Sequence, residues 1–346
     1  MIKLNKKLIG SALLLCILAG GSYSQTAPPR QPKPMKPPPP KVEVYGPPEA
    51  KSFPGFPQTD GVTSEKSMMV EPNVNIKLCV GEGNLKINGW DRDEVRIFIK
   101  DGSKVEVKIL EKDTAGKPNW IHIKRASEPA QSRTQIRECL SGQSIELDVP
   151  MKASLTIDGR VTQTAVDSVK KIYIKNIEGD LSFRNITGGI TASTLQGGVS
   201  VENSGGAISL ETSTGNIVAF EVSPGQIGDL FKARTNSGAI SLQKLDHRQI
   251  EASSITGSVN FDGKFLTGGQ YDFKTSNGSV RLTIPALSSC TIKASYGFGQ
   301  FSYEIPLTIM SENDTPGGKT VVASMGSGDA AVNITTTNGS IGIKKQ

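Results

Sequence analysis

The sequence predicts an all-β chain whose main body is a β-solenoid, a β-helix-like stack of short strands; the competing architecture is a β-sandwich. Three observations predict it. After residue 70, apolar and polar residues alternate with period two over short runs, the pattern of strands with one buried face. From about residue 170 a Gly-headed aliphatic unit recurs. The composition, with 37 Gly in 346 residues and only 5% aromatics, suits a narrow aliphatic core with many corners.

The first element is a secretory signal. Lys3, Lys6 and Lys7 precede an apolar run from Leu8 to Leu18, and Ser22-Tyr23-Ser24 follows as a small-x-small triplet, so cleavage is expected after Ser24. The run is too short to span a bilayer, and no later segment is apolar enough to do so. Cys16 lies inside the run behind Leu13-Leu14-Leu15 and is read as an ordinary signal residue rather than an acylation site. Residues 25–68 form a Pro-rich spacer whose polyproline II bias cannot bury a core. These two segments hold nearly all of the formal net charge of +6. The rest of the chain is close to neutral, which removes the main support for nucleic-acid binding.

Residues 69–150 are expected to be an N-terminal β region or cap, with runs at Val74–Leu78, Leu85–Ile87, Val95–Ile99, Trp120–Ile123 and Ile145–Val149. Asp101-Gly102 predicts a hairpin joining Val95–Ile99 to Val105–Ile109. Cys79, Cys139 and Cys290 remain after signal removal. An oxidising compartment favours one disulfide and one buried thiol; Cys79–Cys139 is the expected pair because both lie in this subregion.

Residues 151–346 are expected to form the solenoid. Gly179, Gly189, Gly198, Gly206 and Gly215 each open a short aliphatic strand, and Gly238, Gly257 and Gly278 follow at spacings of 19 and 21 residues. A coil of about 20 residues carrying two strands accounts for both intervals. Gly328 and Gly339 open the last copies, and Lys344-Lys345 is expected to blunt the terminal edge.

The run Gly83-Asn84-Leu85-Lys86-Ile87-Asn88-Gly89-Trp90-Asp91-Arg92-Asp93-Glu94-Val95, followed by the Gly-x-Ile/Val-x-Leu units, resembles the bacterial putative-adhesin family of exported β-strand-repeat domains of unknown function. The resemblance covers roughly residues 70–346. It implies an exported solenoid that binds or scaffolds at the envelope, and it brings no catalytic residues.

The residues themselves point away from catalysis, so no enzyme activity and no cofactor or metal is expected. Two histidines, His122 and His247, leave little for Ser/His or His-metal chemistry, and both are read as exposed. Asp91, Asp93 and Glu94 gather acids as a β-helix polysaccharide lyase or hydrolase would, but Arg92 and Arg96 partly neutralise them, and a solvated turn is preferred. Gly326-Ser327-Gly328-Asp329-Ala330-Ala331 matches a dinucleotide fingerprint, yet it leads into a strand rather than a helix and is read as a turn.

The function expected is adhesin-like binding of a polymer or protein at the bacterial envelope, in the periplasm or at the cell surface. The alternative is a periplasmic structural or stress-regulatory scaffold that self-associates. Tyr271, Phe273, Tyr296, Phe298, Phe301 and Tyr303 are the densest aromatic cluster. Core filling is preferred for the group, with Tyr296 and Tyr303 kept as candidate binding residues.

Overall fold

A computed structural model describes residues 63–126 and 138–346, within the compact unit Pro57–Gln346. The signal segment with Cys16 and the spacer up to residue 62 lie outside the described residues. The chain first forms β1 (Ser64–Met69), β2 (Asn75–Trp90), β3 (Glu94–Gly102), β4 (Val105–Lys112), β5 (Pro118–Arg125), β6 (Leu140–Pro150) and β7 (Ser154–Asp167). The repeats give β8 (Lys171–Lys175), β9 (Leu181–Arg184), β10 (Ile190–Gln196), β11 (Val199–Gly205), β12 (Ile208–Thr214), β13 (Ile217–Ser223), β14 (Leu230–Ser237), β15 (Ile240–Leu245), β16 (Gln249–Thr256), β17 (Val259–Asp262), β18 (Gln270–Asn277) and β19 (Val280–Ile284). The C-terminal part adds β20 (Cys290–Phe298), β21 (Phe301–Tyr303), β22 (Thr308–Thr315), β23 (Gly318–Met325), β24 (Ala330–Asn338) and β25 (Ile341–Lys345).

These strands form a β-solenoid with two ladders bent around one core. In the first ladder, β5, β2, β7, β8, β10, β12, β14, β16, β18, β24 and β20 pair in parallel. In the second, the order is β6, β2, β7, β9, β11, β13, β15, β17, β19, β25 and β21. This rung-on-rung parallel pairing excludes the sandwich. β2 and β7 are long enough to run through both ladders without a break, so the ladder continues across residue 150. β1 already pairs with β3, so strand structure begins at Ser64, inside the segment assigned to the spacer.

Identical registers stack like on like. Ile172, Ile190, Ile208, Phe231, Ile250, Tyr271 and Val332 form one buried column, and Leu181, Val199, Ile217, Ile240, Val259, Val280 and Ile341 form another. Tyr271 and Phe273 are in this core, where their rings meet Phe261 and Phe265.

The corner between the ladders explains the repeat. Gly215 and Gly257 have φ of 154° and 144°, and a Cβ on either would run into the carbonyl oxygen of the corner glycine one rung back. Three residues before each such glycine stands a buried hydroxyl. Thr212, Thr235, Ser254, Thr275 and Thr336 donate to the carbonyls of Gly197, Gly215, Gly238, Gly257 and Gly278 at 2.8–3.0 Å. The column satisfies carbonyls that the turn would otherwise leave without a partner.

Two expectations change. Asp101 does adopt φ 51°, but β3 pairs with β6 and β1 while β4 pairs with β5, so Asp101-Gly102 turns a corner and makes no hairpin. Burial decides this: Ile97 and Ile99 align with Leu147 and Ile145 in one ladder, and Val107 aligns with Ile123 in the other. Lys344-Lys345 does not blunt an edge, because β25 lies between β19 and β21. That ladder ends instead in the short β21, and the first ladder ends in the antiparallel hairpin β22–β23 laid on β20.

Candidate functional site

Since the inward positions are filled by packed aliphatic, aromatic and hydroxyl side chains, chemistry is left to the outward positions of the two ladders. Parallel register places these in straight rows, one residue per rung at about 4.8 Å. On the second ladder one row runs Arg96, Asp148, Asn88, Asp167, Arg184, Glu202 and Phe220. Beside it run the smaller Ala165, Ser182 and Ser200. The height difference leaves a shallow depression of about 350 Å³ lined by Lys86, Asn88, Asp167, Ser182, Arg184 and Glu202.

Two of its charges, Asp167 and Arg184, satisfy each other. Arg184 Nε donates to Asp167 at 2.9 Å, Asn185 donates to the other Asp167 oxygen at 2.9 Å, and Ser168 donates to that oxygen at 2.6 Å. Partial burial opposes ionisation of Asp167, but these hydrogen bonds and the guanidinium hold its carboxyl below the ordinary value. Arg96 likewise donates to Asp148 at 2.9 Å. On the first ladder a second depression, about 260 Å³, is lined by Ser193, Leu195, Glu211, Ser213, Arg234 and Asn236. Both are open, polar and supported by rigid strands, which suits contact with hydroxyl-rich or charged chains rather than enclosure of a small molecule.

The structure scatters the residues singled out in the sequence. Tyr296 takes the register position of the hydroxyl column, opposite Thr336, and packs half-buried against the end of the core. Tyr303 is 45% exposed, with its ring 5.7 Å from that of Phe301. Asp91, Arg92 and Asp93 form the turn from β2 to β3, and the Arg92 and Arg96 guanidinium groups lie 5.1 and 5.6 Å from the Trp90 ring centroid. Gly326 and Gly328 have φ of 62° and 76° and turn the chain into β24, with no helix following.

Cys79 and Cys139 are disulfide-bonded with Cα atoms 4.5 Å apart, and Cys290 is a buried thiol whose pKa burial pushes up to about 11. His122 is half-buried. His247 is not exposed as expected: its exposure is 0%, its Nε2 meets the Gly206 carbonyl at 2.9 Å, and its ring packs edge-on against Phe231. It replaces an aliphatic residue as corner filling, which a sequence of Leu-Asp-His-Arg does not signal. Among the described residues no group of three or more His, Cys, Asp or Glu could hold a metal ion, and no helix is long and apolar enough to cross a membrane. Sequence reasoning missed Asp167, Arg184 and Glu202, since only strand register brings them into one row.

The chain belongs to the Toastrack family DUF4097, whose model matches residues 72–344. None of the curated proteins matches it. Two solved structures are similar: a putative cell adhesion protein from Clostridium sporogenes ATCC 15579 and a putative adhesin from Bacteroides fragilis NCTC 9343. The first is 13% identical, with 82% of this chain and 100% of the other covered at a TM-score of 0.26. The second is also 13% identical, with 84% and 100% covered at a TM-score of 0.37.

Proposed function

We propose that this protein is exported and acts without catalysis, binding an extended polymer or protein at the cell envelope through the outward faces of its two ladders. The carrying observation is the pair of long, straight rows in which polar side chains repeat once per rung on a rigid support. Such a surface gives many weak contacts in a fixed spacing, and their sum sets the affinity. The exported location rests on the Lys-led apolar segment at the N-terminus. Of the two aromatic candidates, the exposed Tyr303 would add an apolar platform to a ligand running along the second ladder, whereas Tyr296 is packed against the core.

Two measurements test the proposal. Protease treatment of intact cells should cleave the protein if it is on the surface; protection until the outer layers are permeabilised would place it in the periplasm and retire surface adhesion. Purified protein applied to a panel of envelope polysaccharides and surface proteins should retain at least one class. Retention of none, by a protein shown to be folded, would overturn the binding role.

A further inference from the structure

One outward row differs from the rest. At the N-terminal end of the first ladder, Lys108 of β4 faces His122 of β5, His122 faces Lys77 of β2, and the row continues through Thr156 of β7, Tyr173 of β8 and Thr191 of β10. Two ammonium groups thus flank one imidazole in consecutive register positions. Like charges brought together across a ladder are unfavourable. On the second ladder, by contrast, Arg96 with Asp148 and Arg184 with Asp167 alternate in sign.

Lys77 and Lys108 are exposed, and neither forms an ion pair among the described residues. Two of the acids nearby are engaged elsewhere: Glu106 and Glu138 both meet Lys124, at 3.7 and 3.9 Å. Farther along, the Tyr173 ring is partly exposed, with the Lys175 ammonium 5.5 Å from its centroid. The row therefore offers two cations unpaired among the described residues, with a titratable imidazole between them, then a hydroxyl and an aromatic ring along the solenoid axis.

We propose that the row Lys108, His122, Lys77, Thr156, Tyr173 is a docking strip for an acidic polysaccharide lying along the axis. The assignment rests on the reading above that the outward faces bind an extended polymer, and it names the class. Lys108 and Lys77 are two strand spacings apart, about 10 Å, so they meet acidic groups on alternate sugars of an extended chain, whose residues each advance by close to one strand spacing. The hydroxyls meet sugar hydroxyls, and the exposed Tyr173 ring, one face of which the Lys175 ammonium covers, offers its other face to a pyranose ring. A polysaccharide fits better than a nucleic acid because the near-neutral domain lacks the broad positive field that nucleic acids need.

The strip also couples binding to pH. Burial first, then the charges of Lys77, Lys124 and Lys108, hold the His122 pKa below its ordinary value, against Glu138. A bound anion favours the imidazolium, so affinity rises as the pH falls.

The test uses the whole mature chain with dextran sulfate, whose sulfate esters stay ionised, and with neutral dextran and a single-stranded DNA oligonucleotide for comparison. Dextran sulfate is expected to bind, tighter at pH 5.5 than at pH 7.5. Lys77→Gln with Lys108→Gln should weaken it about tenfold, and His122→Gln should flatten the pH dependence. Lys152→Gln with Lys264→Gln, both exposed in connections between strands and off the outward rows, should leave binding unchanged, and thermal melting checks folding of each variant. Equal loss in both double variants overturns the strip in favour of unspecific charge attraction, and tighter binding of the DNA overturns the polysaccharide. Binding of neutral glycans that ignores Lys77 and Lys108 overturns the strip while leaving the general binding role standing. Absence of binding to any polymer or surface protein removes both.

Discussion

At the residue scale, the corner chemistry is the most exacting feature. Gly257 holds φ 144° against the Gly238 carbonyl, and Thr275 donates to the Gly257 carbonyl at 2.8 Å. Gly257→Ala forces a Cβ into fixed backbone and is expected to destabilise by about 3 kcal/mol. Thr275→Val keeps the shape and loses only the hydrogen bond, so about 1 kcal/mol is expected. Urea unfolding of the two variants would measure the ratio; equal small effects would show that the corner yields. His247 sets a second residue-scale expectation. Burial, partly offset by the Gly206 hydrogen bond and by Asp229 and Asp246, keeps its folded pKa below the unfolded value. The unfolded chain therefore binds the proton more readily, and the stability tied to the neutral ring is present above about pH 6.5 and lost as pH falls toward the folded pKa. His247→Gln should show a shallower decline in unfolding free energy between pH 7 and 5 than the parent. A parallel pair of curves would remove this role.

At the scale of elements, the two ends of the first ladder solve the same problem in the same way. β4 and β22 each pair on one side only, with β5 and β23, and each carries a register shift, between Ile109 and Glu111 and between Ile309 and Ser311. The extra residues are Leu110 and Met310, both exposed. A bulge twists an edge strand and breaks the regular row of donors and acceptors that a second copy would need. Deleting Met310 should straighten β22 and give concentration-dependent association by light scattering, while the parent stays unassociated through its ends. Failure of the deletion to associate would show that the charges of Glu312 and Asp314 suffice. These devices also mark the limit of what the sequence reveals. The Gly-headed strands were legible because corner glycine and period-two alternation are local. The Asp101-Gly102 hairpin failed because pairing is decided by which distant strand buries Ile97 and Ile99. The depression around Asp167 and the row through Lys77 were illegible for a related reason: their members lie tens of residues apart and meet only through register.

At the scale of the whole molecule, chain order and spatial order diverge at the C-terminus. The last two strands, β24 and β25, are inserted between the β18–β19 rung and the β20–β21 rung. In a simple solenoid each repeat touches only its neighbours, so trimming the last rung removes one interface. Here the last rung supplies two. Without it, Tyr271 and Phe273 on one side and Ile292 and Ala294 on the other lose their facing partners Val332 and Ile334. The β20–β23 region then has no ladder to join. Truncation after Gly326 is therefore expected to open residues 290–325 to trypsin at Lys293 and Lys319 while the rungs before β18 stay protected. A synthetic peptide of residues 328–346, added in trans, should restore resistance by entering the vacated position through main-chain pairing. A truncated protein that resists trypsin as the parent does would show instead that β20 and β21 can close directly onto β18 and β19. The inserted order has a kinetic consequence as well: the β20–β23 region cannot dock until β24 and β25 have been made, whereas the aliphatic columns from Ile172 to Ile250 can form from near neighbours alone.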